Sequence, residues 1–271
     1  MEQRENAIGR QFQKCRQSGG KALITYISAG DPDLNTTKEL VLSMEKNGAD
    51  MIELGIPYSD PVADGPVIQR ASLRALHNGI TIEAVFGLTA SLRQSTGIPL
   101  ILMVYYNSIL QYGEPHFLDQ CRRTGVDGLI IPDLPLEESE ELRLAAERCG
   151  VDVIMLVAPT TPPERIARIA SASRGFLYCV SVTGVTGTQD KLDSGLAGFL
   201  GLVRSQTELP LAVGFGISTP EQAGQASQLA DGVIVGSAVI KAVERHLGKL
   251  DLPDRVGEFV GSLKANMASR M

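Results

Sequence analysis

The sequence predicts a (β/α)8 TIM barrel, and three observations carry that expectation. Eight short apolar runs recur along the chain with helical patterns between them. The runs are dense in Ile, Val and Leu and mostly do not alternate with polar residues, which suits strands buried on both faces of a parallel sheet. No Pro/Gly/Ser-rich linker, charge run or low-complexity tract divides the 271 residues, and one such barrel needs about 250. A single barrel domain over residues 1–271 is therefore expected. An open doubly wound sheet is the alternative that the alternation leaves.

Taken in order, a helix over about Glu2–Gln17 precedes the first strand, Ala22–Ser28. Leu40, Val41 and Met44 then share one helical face and stop at Gly48. Met51–Leu54 is the second strand, and Val67–Ser95 is longer than one helix requires, so an extra helix is expected there. Leu100–Tyr105 and Gly128–Ile131 follow as strands, with Leu142, Ala145, Ala146 and Cys149 forming a helix face before Gly150. The fifth strand is Asp152–Leu156 and the sixth Phe176–Val180. Leu211–Gly214 and Gly232–Val235 complete the set. Thr161-Pro162-Pro163-Glu164 and Thr219-Pro220-Glu221-Gln222 each read as a cap, an N1 proline and an acid or amide at N3.

Composition removes several classes of function. With 44% hydrophobic and 21% charged residues the chain is an ordinary globular protein. Its 25 Lys+Arg against 31 Asp+Glu give a net charge of −6, and no basic cluster forms a stripe for nucleic acid. Apolar runs such as Leu100–Tyr106 have strand length, so no membrane span is expected. The polar start Met1–Asn6 lacks the apolar core of a secretory signal. Cys15, Cys121, Cys149 and Cys179 are far apart, as are His77, His116 and His246. Neither a disulfide framework nor a metal site is expected, and the cytoplasm is the expected compartment.

Barrel enzymes work at the C-terminal ends of their strands, so the residues just after each strand come first. Three glycine-bearing turns follow the last three strands: Thr183–Thr188, Gly214–Ser218 and Gly236–Ala238. Glycine admits close backbone approach to an anion, and a helix N-terminus adds free donors. Tight turns use glycine anyway, but three on neighbouring strands point to a phosphate. No Lys or Arg lies in them, so backbone N–H groups and Ser237 would carry the anion.

Glu53 is a charged residue at the end of an apolar strand. It is either a buried structural carboxylate or a general acid/base, and burial would raise its pKa toward the useful range. The following segment, Ile56–Pro66, is rich in turn residues and carries Asp60 and Asp64. Asp60 precedes Pro61 and reads as a turn residue; Asp64 either caps the next helix or does chemistry. Tyr178 is a core tyrosine or a partner of substrate or of one of the acids. With no lysine in the strands and no acyl-transfer motif, acid–base chemistry by two carboxylates on a phosphorylated ligand remains.

The run Ile52–Gln69, with Thr25–Pro32, Met103–Asn107, Pro132–Pro135, Gly184–Gly187 and Gly214–Ser218, resembles the tryptophan synthase α chain family over essentially the whole chain. The resemblance implies a lyase that splits indole-3-glycerol phosphate into indole and glyceraldehyde 3-phosphate. By motif, Glu53 matches the family's general acid/base and Asp64 the carboxylate at the indole N–H. Tyr178 matches a tyrosine near the substrate, and Thr186 lies in a mobile loop that closes toward Asp64. Gly187, Gly216, Gly236 and Ser237 match phosphate-binding positions. Tyr26, Met103, Ile130 and Phe215 fall around the indole. The sequence departs from the family where Phe is frequent at Tyr26, Leu at Met103, and Ala at Thr188. The resemblance also implies no cofactor in this chain and a β-chain partner that carries pyridoxal phosphate, in an αββα assembly with Pro57–Pro61 facing it. Another phosphate-binding barrel enzyme, such as a sugar-phosphate epimerase, and a non-catalytic activating subunit are the competing readings.

Overall fold

The computed structural model describes residues 6–181, 189–214 and 216–267. Its strands are β1 (Ala22–Ser28), β2 (Met51–Gly55), β3 (Leu100–Met103), β4 (Gly128–Ile130), β5 (Asp152–Ile154), β6 (Leu156–Val157), β7 (Leu177–Val180), β8 (Leu211–Gly214) and β9 (Gly232–Val235). All pair in parallel, in the order β5-β4-β3-β2-β1-β9-β8-β7-β6. The two ends of that series are successive segments of one strand, so the sheet curls round into a TIM barrel with eight strand positions. The expected single strand Asp152–Leu156 is thus two. At the break, the Met155 N–H donates to the Ser173 hydroxyl at 3.0 Å instead of to a neighbouring strand.

The helices are α1 (Ala7–Gln17), α2 (Leu34–Lys46), α3 (Pro66–His77), α4 (Ile82–Arg93), α5 (Tyr106–Tyr112), α6 (Glu114–Thr124), α7 (Glu140–Arg148), α8 (Pro163–Ala172), α9 (Gln189–Arg204), α10 (Pro220–Leu229), α11 (Ser237–His246) and α12 (Leu252–Met267). The long segment after β2 holds two helices, as its length requires. Two further doublings, α5 with α6 and α11 with α12, were not expected from sequence. At α5 the signal is a single glycine: Gly113, with φ 89°, ends one helix and begins the next.

Capping chemistry explains several boundaries. Thr219 caps α10, its hydroxyl accepting the Gln222 N–H at 3.3 Å ahead of Pro220. The matching motif before α8 works differently: Pro162 is the N-cap, and Thr161 turns back to accept the Ala158 N–H at 3.0 Å. Gly65 is the N-cap of α3 with no side-chain hydrogen bond, so Asp64 does not cap that helix.

Two apolar layers hold the barrel together. One fills the space between strands and helices and includes Leu40, Val41 and Met44 of α2. The other fills the barrel interior, with Ile24, Met51, Ile101, Ile130, Ile154, Phe176, Tyr178 and Ala212 from the strands. Ile8, Phe12 and Cys15 of α1 join the second layer, and the Phe12 and Phe176 rings lie 5.6 Å apart. The N-terminal helix thereby plugs one end of the barrel and leaves the other end to the strand-end residues.

Candidate active site

Glu53 sits on β2 between Tyr26 of β1 and Ile101 of β3. Strand alternation puts its side chain on the same face as Met51, which belongs to the barrel interior. Glu53 is 1% exposed, and its Oε1 has no hydrogen-bond partner among the described residues. Burial without a counterion disfavours the carboxylate, and the Glu53 pKa is pushed up to about 8. At neutral pH the side chain therefore holds a proton that it can give away.

Asp64 lies on the loop between β2 and α3, half-buried. Burial raises its pKa to about 6, and the nearby Tyr105 hydroxyl opposes that rise. At pH 7 Asp64 is mostly ionised while Glu53 is mostly protonated. Two carboxyl groups with pKa values set apart by their surroundings are what a paired acid and anion require.

Tyr26 and Tyr178, both buried, complete the polar layer. Burial first, and then the nearby acids, push both phenols above the ordinary tyrosine range; Asp64 and Glu53 act on each. The Tyr26 hydroxyl lies 3.3 Å from that of Ser28. No hydrogen bond joins Tyr178 to Glu53 or Asp64 among the described residues. Two glycines make room for these rings. A Cβ on Gly55 would stand 2.1 Å from the Tyr26 hydroxyl, and one on Gly214 would stand 2.4 Å from that of Tyr178. Gly214 was grouped from sequence with the phosphate turn; its packing against Tyr178 is reason enough for a glycine there.

Below these groups the wall is apolar. Ile130 is buried in the barrel interior, and Met103, partly exposed at the end of β3, packs against both apolar layers. On the far side, Gly216 has φ +79° and Gly236 precedes α11 as its N-cap, with Ser237 the first helical residue. No side chain caps α11, so the N–H groups of its first turn have no helical partner. Thr186, Gly187 and Phe215 lie outside the described residues.

Helices α3 and α11 are tied together by charge. Arg74 donates to both carboxylate oxygens of the buried Asp31 at 2.8 Å and to Glu244 at 2.9 Å, and Arg70 also donates to Glu244. The helix that follows the Asp64 loop is thereby fixed against the helix whose start carries Gly236 and Ser237.

Sequence reasoning missed Tyr105. Its hydroxyl accepts the Ala63 N–H at 3.0 Å, and its ring stacks on Tyr58 with centroids 4.9 Å apart. The available signal was its position just after a strand, at the working end of the barrel. Asp60 is exposed and bonded to Ser59, as a turn residue would be. A surface depression of about 670 Å³ lies elsewhere, between α7 and α8. There Arg168 pairs with Glu137 and Arg143 donates to the Ser139 hydroxyl and the Ala172 carbonyl, and nothing matches the chemistry of the strand ends. Among the described residues no group of three or more His, Cys, Asp or Glu could hold a metal ion, and no helix is long and apolar enough to cross a membrane.

Comparison with known proteins gives a consistent result. Residues 12–267 match the family described as tryptophan synthase alpha chain. The tryptophan synthase alpha chain of Alkaliphilus metalliredigens is 52% identical over 256 residues, covering 94% of this chain and 96% of that one. The alpha chain of Geobacter sp. strain M21 is 49% identical over 257 residues, covering 95% of this chain and 96% of that one. Among solved structures, tryptophan synthase subunit alpha from Legionella pneumophila superposes with a TM-score of 0.90 at 38% identity, over 97% of this chain and 98% of that one. A chain from M. tuberculosis tryptophan synthase in its aminoacrylate-bound form gives 0.86 at 35% identity, over 97% and 99%.

Proposed function

The chain belongs to the tryptophan synthase alpha chain family, and from that premise we propose how its own residues carry out the family's reaction. The activity is the cleavage of indole-3-glycerol phosphate to indole and glyceraldehyde 3-phosphate, a lyase step of tryptophan biosynthesis. The observation that carries the residue assignment is a fully buried Glu53 with an unpartnered carboxyl oxygen near the end of β2, followed by the loop that carries the half-buried Asp64.

Glu53 gives its proton to indole C3, and the ring becomes a positively charged indolenine. Asp64 accepts a hydrogen bond from the ring N–H and stabilises that charge. The Glu53 carboxylate then takes the proton of the glycerol hydroxyl next to the ring. The carbon–carbon electrons pass to the ring nitrogen as the C3–glycerol bond breaks, releasing indole and the aldehyde. Glu53 ends as it began, protonated. The indole itself is the electron sink, which agrees with the lack of lysine in the candidate strands.

Tyr178 is assigned beside the reacting carbons and Tyr26, Met103 and Ile130 around the ring, with Phe215 added to them by the sequence resemblance alone. Gly216, Gly236 and Ser237 offer N–H groups to the phosphate, and the sequence resemblance alone adds Gly187 to them and gives Thr186 the closure toward Asp64. Residues 1–271 act as one domain in the cytoplasm with no cofactor of their own. A β chain that carries pyridoxal phosphate is the partner, in an αββα heterotetramer. Pro57–Pro61 faces it, and Val62 beside that segment is 86% exposed. The test is indole release from indole-3-glycerol phosphate by the purified chain, alone and with a β chain. Release that accelerates with the β chain is expected. No release even with the β chain would overturn the catalytic assignment.

A further inference from the structure

Helix α3 begins two residues after Asp64, and helix α11 begins at Ser237. Neither start is held by a side-chain cap, so the position of each is set by contacts further along. Arg70 and Arg74 lie one turn apart on α3, and both reach Glu244 of α11. Arg70 does so through two nitrogens, at 3.0 and 2.9 Å, and Arg74 through one, at 2.9 Å. The other two nitrogens of Arg74 donate to the two carboxylate oxygens of Asp31 at 2.8 Å. Asp31, whose side chain is fully buried, stands on a fixed turn after β1. Its N–H donates to the Ser28 carbonyl at 3.2 Å, and the Gly30 N–H donates to the Thr37 hydroxyl at 3.0 Å. Asn78, at the far end of α3, donates its side-chain amide to the Pro32 carbonyl of the same turn. From α3 the connection reaches the loop, because the Gln69 amide donates to the Asp64 carbonyl at 2.9 Å. Hydrogen bonds and one helix thus join Glu244 to the backbone of Asp64.

We propose that Arg74 and Glu244 are positioning residues for the cleavage reaction: they fix the span between Asp64 and the start of α11, so that one substrate meets both at once. The proposal rests on the reading in which Asp64 meets the indole N–H and α11 meets the phosphate. Arg74 and Glu244 touch no substrate in that reading and act through the helices that carry them. An exposed ion pair would be too weak for this, because two long side chains must be ordered to make it. Here Asp31 is buried, and the fork of Arg74 bridges acids on two different elements, which a lysine cannot copy. A packed helix carries a shift at one end to the other. A misplacement of about 1 Å at the reacting groups is enough to cost a large rate factor.

Glu244→Gln tests this, because it removes the charge that both arginines share and leaves Asp31 paired with Arg74. Two ligands separate the span from its ends. Inorganic phosphate needs only the start of α11, whereas indole-3-glycerol phosphate needs α11 and Asp64 together. Both affinities are measured by calorimetry in a Glu53→Gln background, where the substrate is bound and not cleaved. Affinity for indole-3-glycerol phosphate should weaken about tenfold, as a charge-assisted hydrogen bond is misaligned, while that for phosphate stays within about twofold. Arg70→Gln should show the same split more weakly and add nothing in the Glu244→Gln chain. Equal losses for both ligands would overturn the proposal. So would unchanged affinities with a lower melting temperature, which mark a merely structural network. A Glu53→Gln chain that does not bind indole-3-glycerol phosphate at all would sink the substrate reading itself, and the proposal with it.

Discussion

The two ends of the barrel use the same kind of residue in opposite ways. At the end plugged by α1, acids just before strands are matched with donors. Asp50 accepts the Leu23 N–H at 2.7 Å and the Lys264 ammonium at 2.5 Å. Asp127 accepts the Leu100 N–H at 2.9 Å and pairs with Arg93. Asp231 accepts the Leu211 N–H at 2.9 Å and pairs with Arg204. At the open end Asp31 is paired with Arg74, but the two acids assigned to the chemistry have no cation among the described residues: Glu53 leaves an oxygen unpartnered, and Asp64 has only a phenol nearby. A matched acid staples the start of one strand to its neighbour, whereas an unmatched one is held away from its preferred charge state. Burial alone thus does not make a carboxylate reactive; burial without a counterion does.

The largest expected effect breaks the open end. Glu53→Gln keeps the shape and removes the titrating proton, so indole release should fall by roughly 10²–10⁴-fold. The same variant sharpens the comparison through stability. Glu53 has a folded pKa of about 8, above its ordinary 4.5. The fold therefore favours the protonated form, and the parent loses stability as pH rises from about 4.5 to about 8. The Gln variant should match the parent in urea at pH 4 and outlast it at pH 8. A Gln variant that is less stable at pH 8 would show that the carboxylate has a partner after all.

An intermediate effect breaks the plugged end. Arg93 pairs with Asp127 and also donates to the Gly125 carbonyl at 2.7 Å and to that of Ile98. Arg93→Met strands a half-buried acid and two carbonyls and should cost about 2 kcal/mol in urea unfolding. The turnover of the folded fraction should be unchanged. A loss of turnover without a loss of stability would contradict the division between the two ends.

The smallest effect concerns the acid that departs from the pattern. Asp152 begins β5 at the plugged end, yet its Oδ2 is buried and unpartnered, and burial lifts its pKa to about 6. With an ordinary value of 3.8, its ionisation weighs against the fold as pH rises from about 4 to about 6. Linkage sets a ceiling of about 3 kcal/mol on that effect. The Asn amide inherits the same unpartnered buried site, so Asp152→Asn should be indistinguishable at pH 4 and more stable by only about 1 kcal/mol above pH 6. Matched thermal melts at the two pH values check this.

Much of the architecture was legible because it depends on local pattern. Ile-, Val- and Leu-dense runs become strands wherever both faces are buried, and Thr219-Pro220 starts a helix by its own hydroxyl and ring. The misreadings came where a hydroxyl took a backbone N–H that the pattern does not assign to it, one 18 residues away and one only three. Ser173 takes the Met155 N–H and splits the fifth strand, and Thr161 accepts the Ala158 N–H rather than capping α8. In the site, Glu53 stood out as a charge in an apolar strand, whereas Tyr105 looked like any strand-end tyrosine. Nothing in the sequence ties it to Ala63 and Asp64, 42 residues upstream in the case of Ala63.

The sequence by itself determined the repeating strand–helix order, the residues at the strand ends and the family resemblance, since each is written in short runs of neighbouring residues. Only the tertiary structure decided which acids are matched and which are not. A carboxyl's charge state depends on the donors and the solvent around it, and those are brought to Glu53, Asp64 and the strand-start aspartates by chain segments far away in sequence.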